Sequence, residues 1–311
     1  MPGLQLFAHI EKNKLSSFSK RTYMIYKASL PNYLYGHLMP PEDSMLVEGK
    51  IFCVADGITR DPISPKDFAN LSIEERLKNY PNPSGARLAA DIFCKSFVKY
   101  LKNKKVISVK TIRNAFIFGN KKIAKLNKKY IKKVDYLVND FFGCVASGGV
   151  IYKDKLFWGG ICDCGIIIYN KDGKIKFQTP NWMKPFEEYE SKFLCRENFG
   201  RPEYRRMIRS EYRNNPKKIV NNKCVSYGAL TGEKEAEKFM NFGEIKLNKG
   251  DLIVFYSDGF AFTVSHKKFF KTIYQEDESL TDQFFIPYTL LLAKQNSPKF
   301  GRERTLIAII Y

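Results

Sequence analysis

The chain of 311 residues has only three histidines, His9, His37 and His266, and none of them stands in a nucleophile-elbow or paired metal-ligand spacing. A Ser-His-Asp hydrolase and a histidine-held metal centre are therefore not expected. Seven cysteines form an odd set without a framework spacing, which argues against a disulfide scaffold. Cys162-Asp163-Cys164 is the one close pair. Its spacing puts both thiols on one face of a strand, but no second Cys or His pair stands at zinc-ligand spacing, so ordinary buried thiols are expected. No apolar run approaches the roughly 20 residues that cross a bilayer. A Gly-rich phosphate loop of the nucleotide-binding type is also missing, which disfavours nucleotide-driven chemistry. Met1 to His9 lacks a basic leader followed by a long apolar stretch, so an intracellular, cytoplasmic protein with reduced thiols is expected.

What is present is a globular proportion of apolar residues, 44%, and a net charge of +20. The length allows one large domain or two smaller ones. Candidate site residues come from both halves, which favours one domain over residues 1–311. The charge admits nucleic acid, acidic proteins or anionic lipid as partners. Through the densest basic run, Lys121 to Lys133, and the residues before it, Ile112, Phe116, Ile123, Leu126 and Tyr130 recur near helical spacing and leave most lysines on the opposite, solvated face. No recognised nucleic-acid motif accompanies the charge.

Two segments end an apolar run in Asp-Gly: Ile51 to Asp56-Gly57, and Leu252 to Asp258-Gly259. A strand that delivers a carboxylate at its tip, followed by a residue that lets the backbone turn sharply, places a hard oxygen ligand at a sheet edge. Either segment alone is also an ordinary strand-to-turn signal. Between them, Lys50 to Ala55 reads as a strand, Ser84 onward to Lys99 as a capped helix, and Val109 to Lys133 as a second helix. Gly143 to Tyr152, Lys155 to Gly160 and Gly165 to Tyr169 read as strands joined by tight turns. Strands in hairpins with helices grouped between them predict an α+β fold with antiparallel sheets. At about 177–222 the periodicity fades into mixed aromatic and arginine residues, a flap or a loosely helical insertion.

In order, these pieces resemble the metal-dependent Ser/Thr protein phosphatases, the PPM or type 2C family, over Pro41 to Tyr311. Pro41-Glu42-Asp43-Ser44 with Ile51 to Gly57 is similar to the family's Glu-Asp box and first metal Asp-Gly. Asn114 to Asn120 is similar to the helix before its central hairpin. Phe142 to Ala146 stands at a Gly-Thr-Thr-type strand, and Gly160 to Cys164 resembles a diverged Val-Gly-Asp-Ser strand end. Leu247 to Gly259 matches the Gly-Asp-strand-Ser-Asp-Gly motif, and Arg302 to Ile310 takes the place of the terminal Asp-Asn/Asp-x-Thr strand.

The resemblance implies a four-layer α-β-β-α sandwich and hydrolysis of phosphoserine or phosphothreonine in a phosphorylated protein substrate. Two ions, Mn²⁺ or Mg²⁺, are implied as cofactors. Asp56 would bridge them, Glu42 and the Gly57 carbonyl would serve one, and Asp258 the other. Asp43 would hold water from behind the ligands, and Asp163 matches the acid for a further, weaker metal. Hard carboxylates suit such ions, which make water a nucleophile at neutral pH. Two departures stand out. Arg302 occupies the terminal metal-binding Asp position, and a guanidinium cannot ligate a cation. Glu303 is one residue along, and in a regular strand it would point to the other face. The family's phosphate-gripping Arg before Glu42 is replaced by Leu38-Met39-Pro40-Pro41, so Arg302, Arg60 or a flap arginine would have to grip phosphate. His37 lies near enough in sequence to be a proton donor, but a lone His is more often structural. A non-catalytic PPM-like binding or regulatory module is the alternative reading.

Overall fold

The computed structural model describes residues 23–32, 40–58, 72, 75, 78, 80–137, 139–194, 201–274 and 278–311. Strands β1 (Met24–Leu30), β2 (Ser44–Glu48) and β3 (Ile51–Gly57) lead into helices α1 (Gly85–Lys102) and α2 (Val109–Tyr130). A run of strands follows: β4 (Cys144–Tyr152), β5 (Lys155–Ile161), β6 (Gly165–Tyr169) and β7 (Ile175–Gln178). Next come helices α3 (Lys184–Phe193) and α4 (Pro202–Met207), the short pair β8 (Ile219–Val220) and β9 (Lys223–Cys224), then β10 (Asn241–Lys246) and β11 (Leu252–Tyr256). Helices α5 (Ala261–Val264), α6 (Phe269–Ile273), α7 (Glu278–Gln295) and α8 (Ser297–Phe300) precede the last strand, β12 (Arg304–Ile310).

Two five-stranded antiparallel sheets face each other, ordered β1-β12-β11-β6-β7 and β10-β5-β4-β3-β2. Strand alternation builds the layers, because successive side chains point to opposite faces. On β3, Phe52 and Val54 enter the core between the sheets, where the Phe52 ring stacks on Phe255 with centroids 6.0 Å apart. Ile51, Cys53 and Ala55 face the other way, into a core shared with α1 and α2. On the opposite sheet, Ile253, Phe255, Ile307 and Ile309 point inward. Leu252, Val254, Tyr256, Leu306 and Ala308 point outward, into a core with Phe260, Phe269 and Phe285 from the C-terminal helices. The result is the α-β-β-α sandwich that the motif order implies.

Local chemistry sets the helix starts. Ser84 caps α1 by accepting from the Arg87 amide, and Ser108 with Thr111 forms a reciprocal capping box on α2. The buried side of α2 carries Ile112, Phe116 and Ile123 as expected, but Tyr130 is exposed and rests against Phe142 instead of entering the core. The segment read as a flap or a loosely helical insertion carries, among its described residues, helices α3 and α4. Phe186, Tyr204, Ile208, Tyr212 and Val225 form its own small core, and α4 runs into a single π turn, Ile208–Tyr212. Its anchor is buried: the Arg213 guanidinium donates to both oxygens of Asp140 at 2.9 and 2.6 Å. Burial pushes the Asp140 carboxyl up, and the Arg213 pair more than offsets it, holding it below the usual carboxylate range. The start of the segment also touches the β5–β6 turn, where the Trp182 amide donates to the Cys162 carbonyl at 3.2 Å.

Candidate active site

Register brings the acids to one end of the sandwich. Ser44 pairs with Ala55, Gly57 with Cys144, Ala146 with Ile161, Tyr256 with Gly165 and Leu306 with Tyr256. Glu42 and Asp43 therefore precede β2, Asp56 is the next-to-last residue of β3, Asp163 sits in the β5–β6 turn, Asp258 follows β11 and Glu303 precedes β12, all at the same edge. Parity aims them. Asp56 continues the inward series Phe52, Val54, and Glu303 continues the inward series Ile309, Ile307, Thr305.

Each acid then meets a different partner. Glu42 Oε1 accepts from the Tyr80 hydroxyl at 2.6 Å and from the Ser84 hydroxyl. Ser84 thus both caps α1 and holds Glu42. Asp43 Oδ2 accepts from the Ser257 hydroxyl at 2.7 Å, and the Asp43 carbonyl accepts from Arg87. Glu303 does not face an open site. Its carboxylate accepts the Glu42 amide at 2.9 and 3.0 Å and the Asp43 amide at 2.9 Å, locking the Glu-Asp box in place. Asp258 Oδ2 accepts from Arg302 Nη1 at 3.1 Å.

The glycines after the two aspartates matter for a reason other than the sharp turn expected from sequence. Neither has a left-handed φ, and β3 continues through Gly57. A Cβ on Gly57 would stand 2.7 Å from the Glu42 carbonyl oxygen and 2.9 Å from the Ala86 backbone. A Cβ on Gly259 would collide with the Glu303 carbonyl. Each glycine is the point where the strand tip is crossed by the segment that carries the next acid.

Crowded acids with little water favour their protonated forms. Burial, with the charges of Asp43, Asp258, Asp163 and Glu303 around it, pushes Asp56 well above the usual carboxylate range. Burial raises Asp43 to about 7, opposed by the Ser257 hydroxyl and reinforced by Asp258. Asp163 is likewise raised to about 7, by burial and then by Asp258. Glu303 is raised to about 8 by burial and the Asp43 charge, in spite of the two amides it accepts.

Among the described residues, no three Asp, Glu, His or Cys side chains converge as a ready-made cation site. The donor chemistry still divides the site in two. Around Asp56, where the charges of Asp43, Asp258 and Asp163 crowd a buried carboxylate, the hard oxygens repel one another in a way that a divalent cation would relieve, and that donor chemistry suits such an ion. On the Asp258 side the fit is poorer, because the Arg302 guanidinium 3.1 Å away competes with a cation for that carboxylate.

Of the residues singled out from sequence, Glu42, Asp43, Asp56, Gly57, Asp163, Asp258 and Arg302 come together at this edge. Arg60 and His37 lie outside the described residues. His266 sits on the outer helical layer, its Nδ1 2.8 Å from the Tyr288 hydroxyl. The Cys162-Asp163-Cys164 pair is not on a strand face: it spans the β5–β6 turn, with Cys162 at φ 65°. Every cysteine among the described residues is unpaired, and Cys53, Cys94, Cys144, Cys162 and Cys164 are buried. Tyr80 and the anchoring role of Glu303 had no motif to announce them, and Ser257 stood in the Ser-Asp-Gly motif without a role. Ser84 was visible only as a helix cap.

No family model matches the sequence, and no curated protein matches it. Solved structures do. The serine/threonine phosphatase PstP/Ppp of Mycobacterium tuberculosis superposes with a TM-score of 0.57 at 14% identity, over 93% of this chain and 98% of that one. The S. agalactiae serine/threonine phosphatase gives 0.57 at 14%, over 93% and 99%. The PstP catalytic domain in complex with two manganese ions gives 0.54 at 12%, over 92% and 96%. At such identities the likeness is one of architecture, and the chain is a divergent protein with the fold of the PPM-type Ser/Thr phosphatases.

Proposed function

We propose that the protein hydrolyses phosphoserine or phosphothreonine in protein substrates, using one divalent cation where two were expected from the resemblance. What supports this reading is the placement of Glu42, Asp43, Asp56, Asp163 and Asp258 at one edge of a sandwich with the PPM-type fold. Asp56, Glu42 and the Gly57 carbonyl would hold Mn²⁺ or Mg²⁺. When bound, such an ion supplies Lewis acidity toward water and a phosphoryl oxygen.

The chain's own residues do the rest. Asp43, fixed by the Ser257 hydroxyl, would orient the attacking water from behind the ligands. Glu303 and Ser84 hold Asp43 and Glu42 in position from behind. Arg302, exposed at the rim, takes the negative charge of the phosphoryl group, for which its planar guanidinium is suited. No protein nucleophile is required.

The Arg302–Asp258 pair favours a second reading, a binding module that grips a phosphorylated partner without turning it over. Hydrolysis of a phosphothreonine peptide with Mn²⁺, with Mg²⁺ and with EDTA separates the two. Turnover that EDTA abolishes supports the phosphatase. Peptide binding by folded protein without turnover under any condition supports the module.

A further inference from the structure

The net charge is not spread over the molecule. Residues 92–134 contain fourteen Lys or Arg and no Asp or Glu, so this stretch carries +14 of the net +20 and the other 268 residues share +6. It comprises most of α1, all of α2 and their connection, which form the layer outside the β10-β5-β4-β3-β2 sheet. Thirteen of the fourteen are lysines, Arg113 being the exception, and all but Lys122 are exposed. Among the described residues, Lys102 alone of these has a carboxylate partner, Glu48. A lysine-rich composition would raise the charge of all four layers. Here three are close to balance and one is not, which revises the expectation that these lysines serve as solvation.

Their placement is linear. Lys110, Lys121, Lys125 and Lys128 lie on one stripe of α2 and Lys132 follows it. The 22 residues of α2 run about 33 Å. Lys95 and Lys99 form a shorter exposed row on α1.

We propose that this face binds duplex nucleic acid without regard to sequence. Lysines act as point charges on phosphates, whereas reading base edges favours the fork of arginine. The large apolar side chains exposed on this layer are Val106 and Tyr130, at the two ends of α2. In the middle of the face the half-buried Tyr100 and Phe118 pack against each other beneath Lys104 and Lys122, so the surface there offers charge rather than an open stacking platform or an apolar wedge. A duplex offers one negative charge per about 1.7 Å, roughly twice the line density of a fully acidic extended polypeptide. The proposal does not depend on the phosphatase reading.

The test is fluorescence anisotropy of the full chain on 24-base-pair duplexes of two unrelated sequences, at 50 and 200 mM NaCl. Parallel arms use phosphatidylserine vesicles and an acidic phosphopeptide. Neutralising about five phosphates predicts a roughly 500-fold loss of affinity between the two salts, equal for both sequences. Lys121→Glu, Lys125→Glu, Lys128→Glu and Lys132→Glu together should abolish binding, and the corresponding Gln set, gentler on folding, should weaken it at least tenfold with an unchanged circular dichroism spectrum. Absence of duplex binding at 50 mM salt, equal binding by the folded Gln variant, or tighter binding to vesicles or phosphopeptide overturns it.

Discussion

Arg302→Asp is predicted to add a cation to the protein. Arg302 and Asp258 sit 3.1 Å apart with side chains 45% and 28% exposed, so their ion pair is worth only about 0.2–1 kcal/mol to folding. Losing it leaves the protein folded. Its effect on ion binding is larger, because the substitution moves the local charge by two units. With full water screening, a divalent ion gains about 1.7 kcal/mol per unit charge at about 5 Å, hence about 3.3 kcal/mol in total, or roughly 250-fold in affinity. Titration calorimetry with Mn²⁺ reads stoichiometry without reference to turnover. The expected result is one ion for the unaltered chain and two for the variant. Two ions of similar affinity in the unaltered chain, or no gain in the variant, would refute the reasoning.

Three further outcomes follow from the same contacts. Ser84→Ala removes both the α1 cap and a Glu42 partner, and should lower stability by about 0.5–2 kcal/mol in urea unfolding while weakening Mn²⁺ binding about 10–100-fold; an unchanged Mn²⁺ affinity would separate the two roles. Gly57→Ala forces a methyl against the Glu42 carbonyl and should cost about 1–3 kcal/mol, whereas a neutral effect would mean the box can move aside. The cation-free protein should lose stability as pH rises from about 4 toward 8. Asp43, Asp163 and Glu303 have folded pKa values of about 7, 7 and 8, above their unfolded values, so the folded state holds more protons in that window and sheds them as it ionises. Melting temperatures that rise over this range in EDTA contradict the crowding, and Mn²⁺ at pH 8 should restore the loss.

Much of the site was legible because strand tips advertise themselves. An apolar run ending in Asp-Gly gave Asp56 and Asp258 directly; alternation fixes the inward face for Asp56, whereas Asp258, of the same parity as the outward Val254 and Tyr256, lies beyond the strand in a 3₁₀ turn. The same alternation places Glu303 inward, but sequence could not reveal that the Glu42 and Asp43 amides, some 260 residues away, would claim its carboxylate. Tyr80 and Ser84 reach Glu42 across 38 and 42 residues by tertiary packing alone. Strand β1 was missed because its register is supplied by β12, from Met24 opposite Ile310 to Leu30 opposite Arg304. The segment at 177–222 looked irregular because its order comes from a buried Arg213–Asp140 pair and a five-residue aromatic-rich core, neither of which produces a period.

The most direct test of the account compares Asp56→Asn with Asp258→Asn in Mn²⁺-dependent hydrolysis of a phosphothreonine peptide. A one-cation phosphatase centred on Asp56 predicts turnover in the unaltered chain, its loss by roughly a thousandfold or more in Asp56→Asn, and a much smaller loss in Asp258→Asn, whose carboxylate is paired with Arg302. Equal abolition by both substitutions would mean that Asp258 serves an ion after all. No turnover in the folded, unaltered chain would contradict the phosphatase reading itself.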